Sequence, residues 1–205
     1  MTSLIYLHRY EPGSEPGAPP LLLLHGTGGD ENDLIPLGQK LSPGSALLSP
    51  RGDVLEHGLP RFFRRFAEGV FDLADVTRRT HTLAHFIAAA AGRYGLDQSR
   101  LLAVGFSNGA NIATSLLWLR PESLADAVLL RPMLVFEPEK LPDLSGKRIL
   151  VSSGTQDPIV PGDHSPRLAQ MLRQAGAAVT LHRHEAGHGL APADFAAAKD
   201  FISRH

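Results

Sequence analysis

Apolar residues fall into two alternating patterns along the chain. Short unbroken runs, Leu21–Leu24, Leu101–Val104, Ala127–Leu130 and Ile149–Val151, have the length and continuity of strands buried on both faces. Between them lie longer stretches whose apolar positions recur every three or four residues. Leu83, Phe86, Ile87, Ala90 and Tyr94 form one such stripe and predict a helix over residues 75–94, with Gly95 placed to end it. Helices are also predicted over 30–41, 108–119 (stopped by Pro121), 165–175 (ended by Gly176) and 192–203. Further strands are predicted over 4–10, 46–49 and 179–184. The loop EPGSEPGAPP, residues 11–20, separates two strand-like runs and reads as a hairpin loop. Residues 51–74 form a long irregular stretch. Strands separated by helices predict an α/β fold with a mostly parallel sheet and helices on both faces. No segment repeats at a period of 20–50 residues, which excludes a solenoid.

Composition narrows the picture. A length of 205 residues suits a single domain, 1–205, with no room for a large lid domain. Apolar residues make up 43% and charged residues 20%, which excludes disorder as the main state. Twenty Lys and Arg balance 21 Asp and Glu, so the simple electrostatic case for nucleic acid or an anionic membrane fails. No cysteine is present, hence no disulfide, no thiolate zinc site and no thiol nucleophile. Met1–Tyr10 lacks the apolar core of a signal, and no run approaches the ~20 residues of a membrane span. The expectation is a soluble cytoplasmic protein.

The candidate chemistry begins at Gly105-Phe106-Ser107-Asn108-Gly109, a G-x-S-x-G pentapeptide between an apolar strand and a helix. Such a turn holds its serine in a strained backbone conformation, and side chains two residues before and after would collide. The pentapeptide alone is weak; its strand-to-helix setting strengthens it. A tight turn with an inert serine is the alternative. A second loop, His25-Gly26-Thr27-Gly28-Gly29, follows the Leu21–Leu24 strand. Acyl transfer needs two N–H groups for an oxyanion, and Thr27 with Asn108 are the candidates. The alternative is an ordinary glycine-rich loop; a phosphate-binding loop is the poorer reading, because neither a G-x-G-x-x-G nor a Walker lysine follows. His25 is expected to pack or hydrogen-bond locally.

A serine nucleophile needs a base and the base an orienting carboxylate. Asp157 sits on a turn beyond the Ile149–Val151 strand, and His188 lies between two glycines beyond the Val179–His184 strand. Asp163 is better placed to cap the next helix. His182 and His184 share one strand face and read as structural or exposed. His184-Glu185-Ala186-Gly187-His188 also matches the zinc signature H-E-x-x-H, but that chemistry needs both histidines on one helix face. Here a strand leads in and glycines break any helix, so no metal or other cofactor is expected.

HGTGGDENDL, RGDVLEHGLPRFFRR, VGFSNGANIA, GTQDPIVP and HEAGHGL together resemble the phospholipase/carboxylesterase family of α/β-hydrolases. Within it they resemble small bacterial carboxylesterases of the hydroquinone-resistance type. The resemblance covers most of the chain, with its segments in the family's order. It implies a Ser107, Asp157, His188 triad, an oxyanion hole from the Thr27 and Asn108 amides, small-molecule ester substrates and frequent homodimers. Acyl-protein thioesterases carry Gln and Gly where this chain has Asn108 and Ala110, a departure that counts against protein depalmitoylation. A thioesterase, lysophospholipase or peptidase would use the same triad, and a non-catalytic binding module is the alternative of another class. In α/β-hydrolases of this size, residues 51–72 are expected to form a loop over the site. Phe62, Phe63, Phe66 and Phe71 would wall a substrate pocket, and Arg61, Arg64 and Arg65 would recognise a carboxylate or phosphate. The alternative is an amphipathic segment that packs its Phe residues and solvates its Arg residues.

Overall fold

The computed structural model describes residues 4–204, so Met1–Ser3 of the N-terminal stretch and His205 lie outside the described residues. In chain order the elements are β1 (His8–Glu11), β2 (Leu21–Leu24), α1 (Ile35–Leu41), β3 (Leu47–Pro50), β4 (Val54–Glu56), β5 (Leu59–Arg61), β6 (Arg65–Ala67) and β7 (Val70–Phe71). They continue as α2 (Leu73–Tyr94), β8 (Leu102–Phe106), α3 (Asn108–Leu119), β9 (Asp126–Leu130), β10 (Arg148–Gly154), α4 (His164–Gln174), β11 (Ala178–His184) and α5 (Pro192–Ser203). Seven strands form one sheet in the order β1-β3-β2-β8-β9-β10-β11, and only β1 runs antiparallel.

The continuous apolar runs follow from burial on both faces. Leu22, Leu24, Ala103, Leu129 and Val151 point to one side, into a core shared with Ile87 of α2, Leu116 of α3 and Leu168 of α4. Leu21, Leu23, Val104, Val128 and Leu150 point to the other, packed with Leu37 of α1 and Ile202 of α5. Strand side chains alternate faces, so four consecutive leucines in β2 serve two cores at once. Asp72 caps α2 by accepting the Asp75 N–H at 3.1 Å, and Gly95 closes it with φ of 67°. The chain leaves β2 for β3 on one side and later returns to β8 on the other. The crevice at the carboxyl ends of β2 and β8 is therefore the switch point where open α/β sheets place ligands.

Four expectations are corrected. The loop at 11–20 is not a hairpin: β1 pairs with β3, Arg9 opposite Ser49, because β2 is flanked by β3 and β8. A strand carrying His8 and Arg9 belongs at the sheet edge. Helix α1 begins at Ile35 rather than Asp30, after turns that end at Leu34, with Pro36 in its first turn. Residues 51–72 hold two short hairpins, β4–β5 and β6–β7. Asp163 occupies the cap position of α4, but its α-region backbone leaves the side chain without a capping bond. Among the described residues, no helix is long and apolar enough to cross a membrane.

Candidate active site

Ser107 joins β8 to α3 with φ of 52° and ψ of −114°, a conformation disfavoured for a residue with a side chain. The two glycines of the pentapeptide have a steric cause. A Cβ on Gly105 would lie 2.6 Å from the Gly109 carbonyl oxygen, and one on Gly109 would lie 1.9 Å from the Leu24 carbonyl oxygen. Gly109 thus lets α3 pass against the end of β2, where the His25–Gly29 loop starts. Gly109→Ala is expected to destabilise the fold by at least ~1–3 kcal/mol. Thermal unfolding should show Tm lowered by about 2–12 °C, and an unchanged Tm would contradict this packing.

Asp157 follows β10, and its Oδ1 accepts the Ile159 and Val160 N–H groups at 2.8 and 3.1 Å. That turn fixes the carboxylate, whose Oδ2 lies 2.8 Å from His188 Nδ1. His188 follows β11, and its Nε2 lies 2.9 Å from Ser107 Oγ. These partners assign the proton to Nδ1, which donates to Asp157 and leaves Nε2 to accept from the serine. The two loops meet closely because residue 154 has no side chain: a Cβ on Gly154 would lie 2.2 Å from the Ala186 carbonyl oxygen. The structure thus brings Ser107, Asp157 and His188 into one hydrogen-bonded chain across 81 residues of sequence.

Opposite them lies the His25–Gly29 loop. His25 is buried, its Nδ1 donates to the Gly26 carbonyl at 2.6 Å, and its Nε2 accepts the Gly52 N–H at 2.9 Å. Burial pushes its pKa below the ordinary histidine value, against the opposing Gly26 hydrogen bond. A neutral imidazole with both nitrogens committed ties the loop to residue 52. Among the described residues, neither the Thr27 nor the Asn108 backbone N–H has a partner. Asn108 Oδ1 accepts the Phe62 N–H at 2.8 Å, which links the nucleophile turn to the 51–72 segment.

A cavity of about 260 Å³ opens at Ser107 and His188. Its walls correct the expected pocket. Phe62 and Phe63 are buried in the core, Phe66 is 75% exposed, and Arg64 is exposed and paired with Asp72 at 2.8 Å. None of these four lines the cavity. Arg61, Arg65 and Phe71 do, with Phe106, Asn111, Met133 and Ile159. The amphipathic alternative therefore describes Phe62, Phe63 and Arg64 better than the pocket does. Phe62, Phe63 and Arg64 form the connector between the two hairpins, where Asn108 Oδ1 and Asp75 Oδ2 accept the Phe62 and Arg64 N–H groups, both at 2.8 Å, and both phenyl rings turn into the core. Arg65 reaches the cavity already held by Glu56 at 2.9 Å and by Glu68.

Two contributors lie outside the candidate residues of the sequence. Arg131, at the end of β9, is fully buried and lines the cavity, and Asn111 accepts the Met133 N–H at 2.7 Å one turn beyond Asn108. A charged residue directly after the apolar run Ala127–Leu130 was the one available signal for Arg131. His182 and His184 stack at 4.8 Å, with His184 Nε2 3.4 Å from Asp194 Oδ2. Among the described residues, no three His, Asp or Glu side chains are grouped to hold a metal.

The dienelactone hydrolase family model matches residues 66–200 of the chain. The chain belongs to the dienelactone hydrolase family. In line with that membership, it is 44% identical over 183 residues to the putative hydrolase MhqD of Bacillus subtilis, across 89% of this chain and 90% of that protein. The crystal structure of a Bacillus cereus carboxylesterase superposes with a TM-score of 0.95 at 42% identity, covering 98% of this chain and 94% of that one. A carboxylesterase from Mesorhizobium loti gives 0.92 at 32% identity, covering 99% and 97%. The likeness to bacterial carboxylesterases read from the motifs is thus borne out, and the protein is a dienelactone-hydrolase-family member of carboxylesterase type.

Proposed function

We propose that the protein is a cofactor-free serine carboxylesterase acting on small esters through an acyl-enzyme. The observation that carries this reading is the hydrogen-bonded chain Asp157–His188–Ser107, with the serine on a strained turn beside two unpartnered amides. Ser107 Oγ attacks the ester carbonyl while His188 Nε2 takes its proton. The Thr27 and Asn108 amides hold the oxyanion. His188 returns the proton to the departing alcohol, then takes one from the water that attacks the acyl group and passes it to Ser107 Oγ as the acid leaves. Asp157 keeps the imidazole in the required tautomer and stabilises its charged form. The shared sheet supports treating residues 1–205 as one catalytic domain.

The cavity supports the substrate class. At about 260 Å³ it suits a compact ester better than a long acyl chain. Its donors favour a substrate with an acceptor or anionic group. Arg61 is buried, with Nη1 donating to Thr27 Oγ1 at 2.6 Å and Nε to the Phe63 carbonyl at 3.3 Å. Burial, then the neighbouring Arg65, push its pKa below the ordinary arginine value. Its nearest carboxylate, Glu56, lies 3.5 Å away and is already engaged by Arg65. The buried Asn108 Nδ2 also lacks an acceptor.

A series of p-nitrophenyl esters of increasing chain length, run beside an acyl-thioester and a lysophospholipid, tests the reading. Short esters should turn over best, and activity should survive dialysis against EDTA. Preference for the thioester or the lysophospholipid would contradict it. The same panel tests Arg61. With a matched pair of anionic and neutral esters, Arg61→Met should lower the anionic-to-neutral ratio of kcat/KM by about 10- to 150-fold, the worth of one charged hydrogen bond. The ratio is the readout because loss of the Thr27 contact affects both esters alike. An unchanged ratio would remove Arg61 from substrate recognition.

A further inference from the structure

The base of the proposed triad stands just past the last backbone hydrogen bond of its loop, Gln156 N–H to the Ala186 carbonyl at 3.0 Å. His188 is flanked by Gly187 and Gly189, the residue type with the widest backbone freedom. No Cβ at either position would meet close packing: the nearest atom to one on Gly187 is 4.0 Å away, and none lies within 4 Å of one on Gly189. Yet Nε2 must stay within hydrogen-bond reach of Ser107 through every turnover.

We propose that Arg131 is the positioning residue of the base, clamping both carbonyls that bracket His188 to the rigid end of β9. Arg131 Nε donates to the Gly187 carbonyl at 3.0 Å and Nη2 to the Gly189 carbonyl at 3.1 Å. The other face of the guanidinium is bidentate on Asp194, Nη1 to Oδ1 at 2.7 Å and Nη2 to Oδ2 at 2.8 Å. Asp194 stands in the first turn of α5 and also accepts Ser152 Oγ at 2.6 Å and the Ala191 N–H at 2.8 Å. The clamp is therefore anchored to β10 and α5 as well as β9. Both side chains are buried, at 0% and 1% exposure. A buried ion pair is often no more stabilising than apolar residues of the same volume, so stability alone does not account for it. Arg131 also has φ of 55°, one of three non-glycine residues with positive φ among those described, Ser107 being another. Strain of this kind collects where a side chain must be aimed. Asp157 orients the imidazole ring; Arg131 orients the backbone that carries it.

The inference rests on the serine-esterase reading, and two variants test it in the wild-type assay. Arg131→Lys keeps the charge beside Asp194, but one ammonium cannot span the carboxylate and both carbonyls. Arg131→Met with Asp194→Leu removes both charges and strands neither. Each should fold, judged by circular dichroism and Tm. In each, kcat should fall about 10- to 100-fold while KM stays within about threefold, as expected for a misplaced catalytic group. Inactivation by a fluorophosphonate should slow by the same factor. A purely structural role would move Tm and leave the kcat of the folded fraction alone. Wild-type kcat in either folded variant, a loss confined to KM, or failure of both to fold would overturn the proposal. Ser107→Ala in the same assay separates the two claims: if it turns over esters as fast as wild type, the serine reading fails regardless of Arg131.

Discussion

Replacing Ser107 with alanine is expected to lower kcat by about 10⁴–10⁶-fold while leaving the fold and Tm close to wild type. The size follows from the loss of the covalent route. Without Oγ there is no nucleophile for His188 to activate, and what remains is substrate binding with the Thr27 and Asn108 amides facing an ester attacked by water. The fold should hold because His188 is the one hydrogen-bond partner of Ser107 Oγ among the described residues, and the turn is held by backbone bonds, Ser107 N–H to the Leu130 carbonyl at 2.8 Å and Asn111 N–H to the Ser107 carbonyl at 2.9 Å. If Ser107 and His188 work as the proposed triad, Ser107→Ala combined with His188→Ala should be little slower than either alone. Single-turnover assays with a p-nitrophenyl ester, beside circular dichroism, provide the check. Residual activity within tenfold of wild type in Ser107→Ala would sink the assignment.

Asp157→Asn should produce the next largest loss, about 10⁴-fold in kcat, without a clash. The amide is isosteric, but its NH₂ is a donor where His188 Nδ1 now finds an acceptor. The imidazole would then favour the proton on Nε2, where it faces the serine as a donor and takes no proton. The turn onto Ile159 and Val160 needs only one carbonyl-type oxygen and should persist. Steady-state kinetics should therefore show kcat falling with KM nearly unchanged. A loss below about tenfold would mean that Asp157 supports the loop rather than the base.

Much of this architecture was legible because its signals are local. Leu21–Leu24 is apolar at four consecutive positions, a run too short for a helix of its own that suits a strand covered on both faces. Gly105 and Gly109 stand two residues either side of Ser107 because a Cβ at either place would strike backbone. Asp157 and His188 each follow a strand, so a parallel sheet brings both to the same edge. The pairing of β1 was not legible, since a Pro/Gly loop marks a change of direction and not which neighbour the strand meets. The 51–72 segment misled for a related reason. Arg61 ends one short hairpin and Arg65 begins the next, so both reach the cavity, while Arg64 in the connector between them turns out to Asp72, and strands of two or three residues have no periodic signature that would show this. Arg131 stayed hidden because its partners lie 56 to 63 residues downstream and only the folded sheet brings them together.

The most direct measurement is to trap the acyl-enzyme. Wild-type protein mixed with p-nitrophenyl acetate and quenched in acid within the first turnover should show one acetyl group per chain by intact mass. Peptide mapping should place it on Ser107. A full burst of p-nitrophenol with the acetyl group on any other residue, or turnover with no acetylated protein at any quench time, would contradict the account.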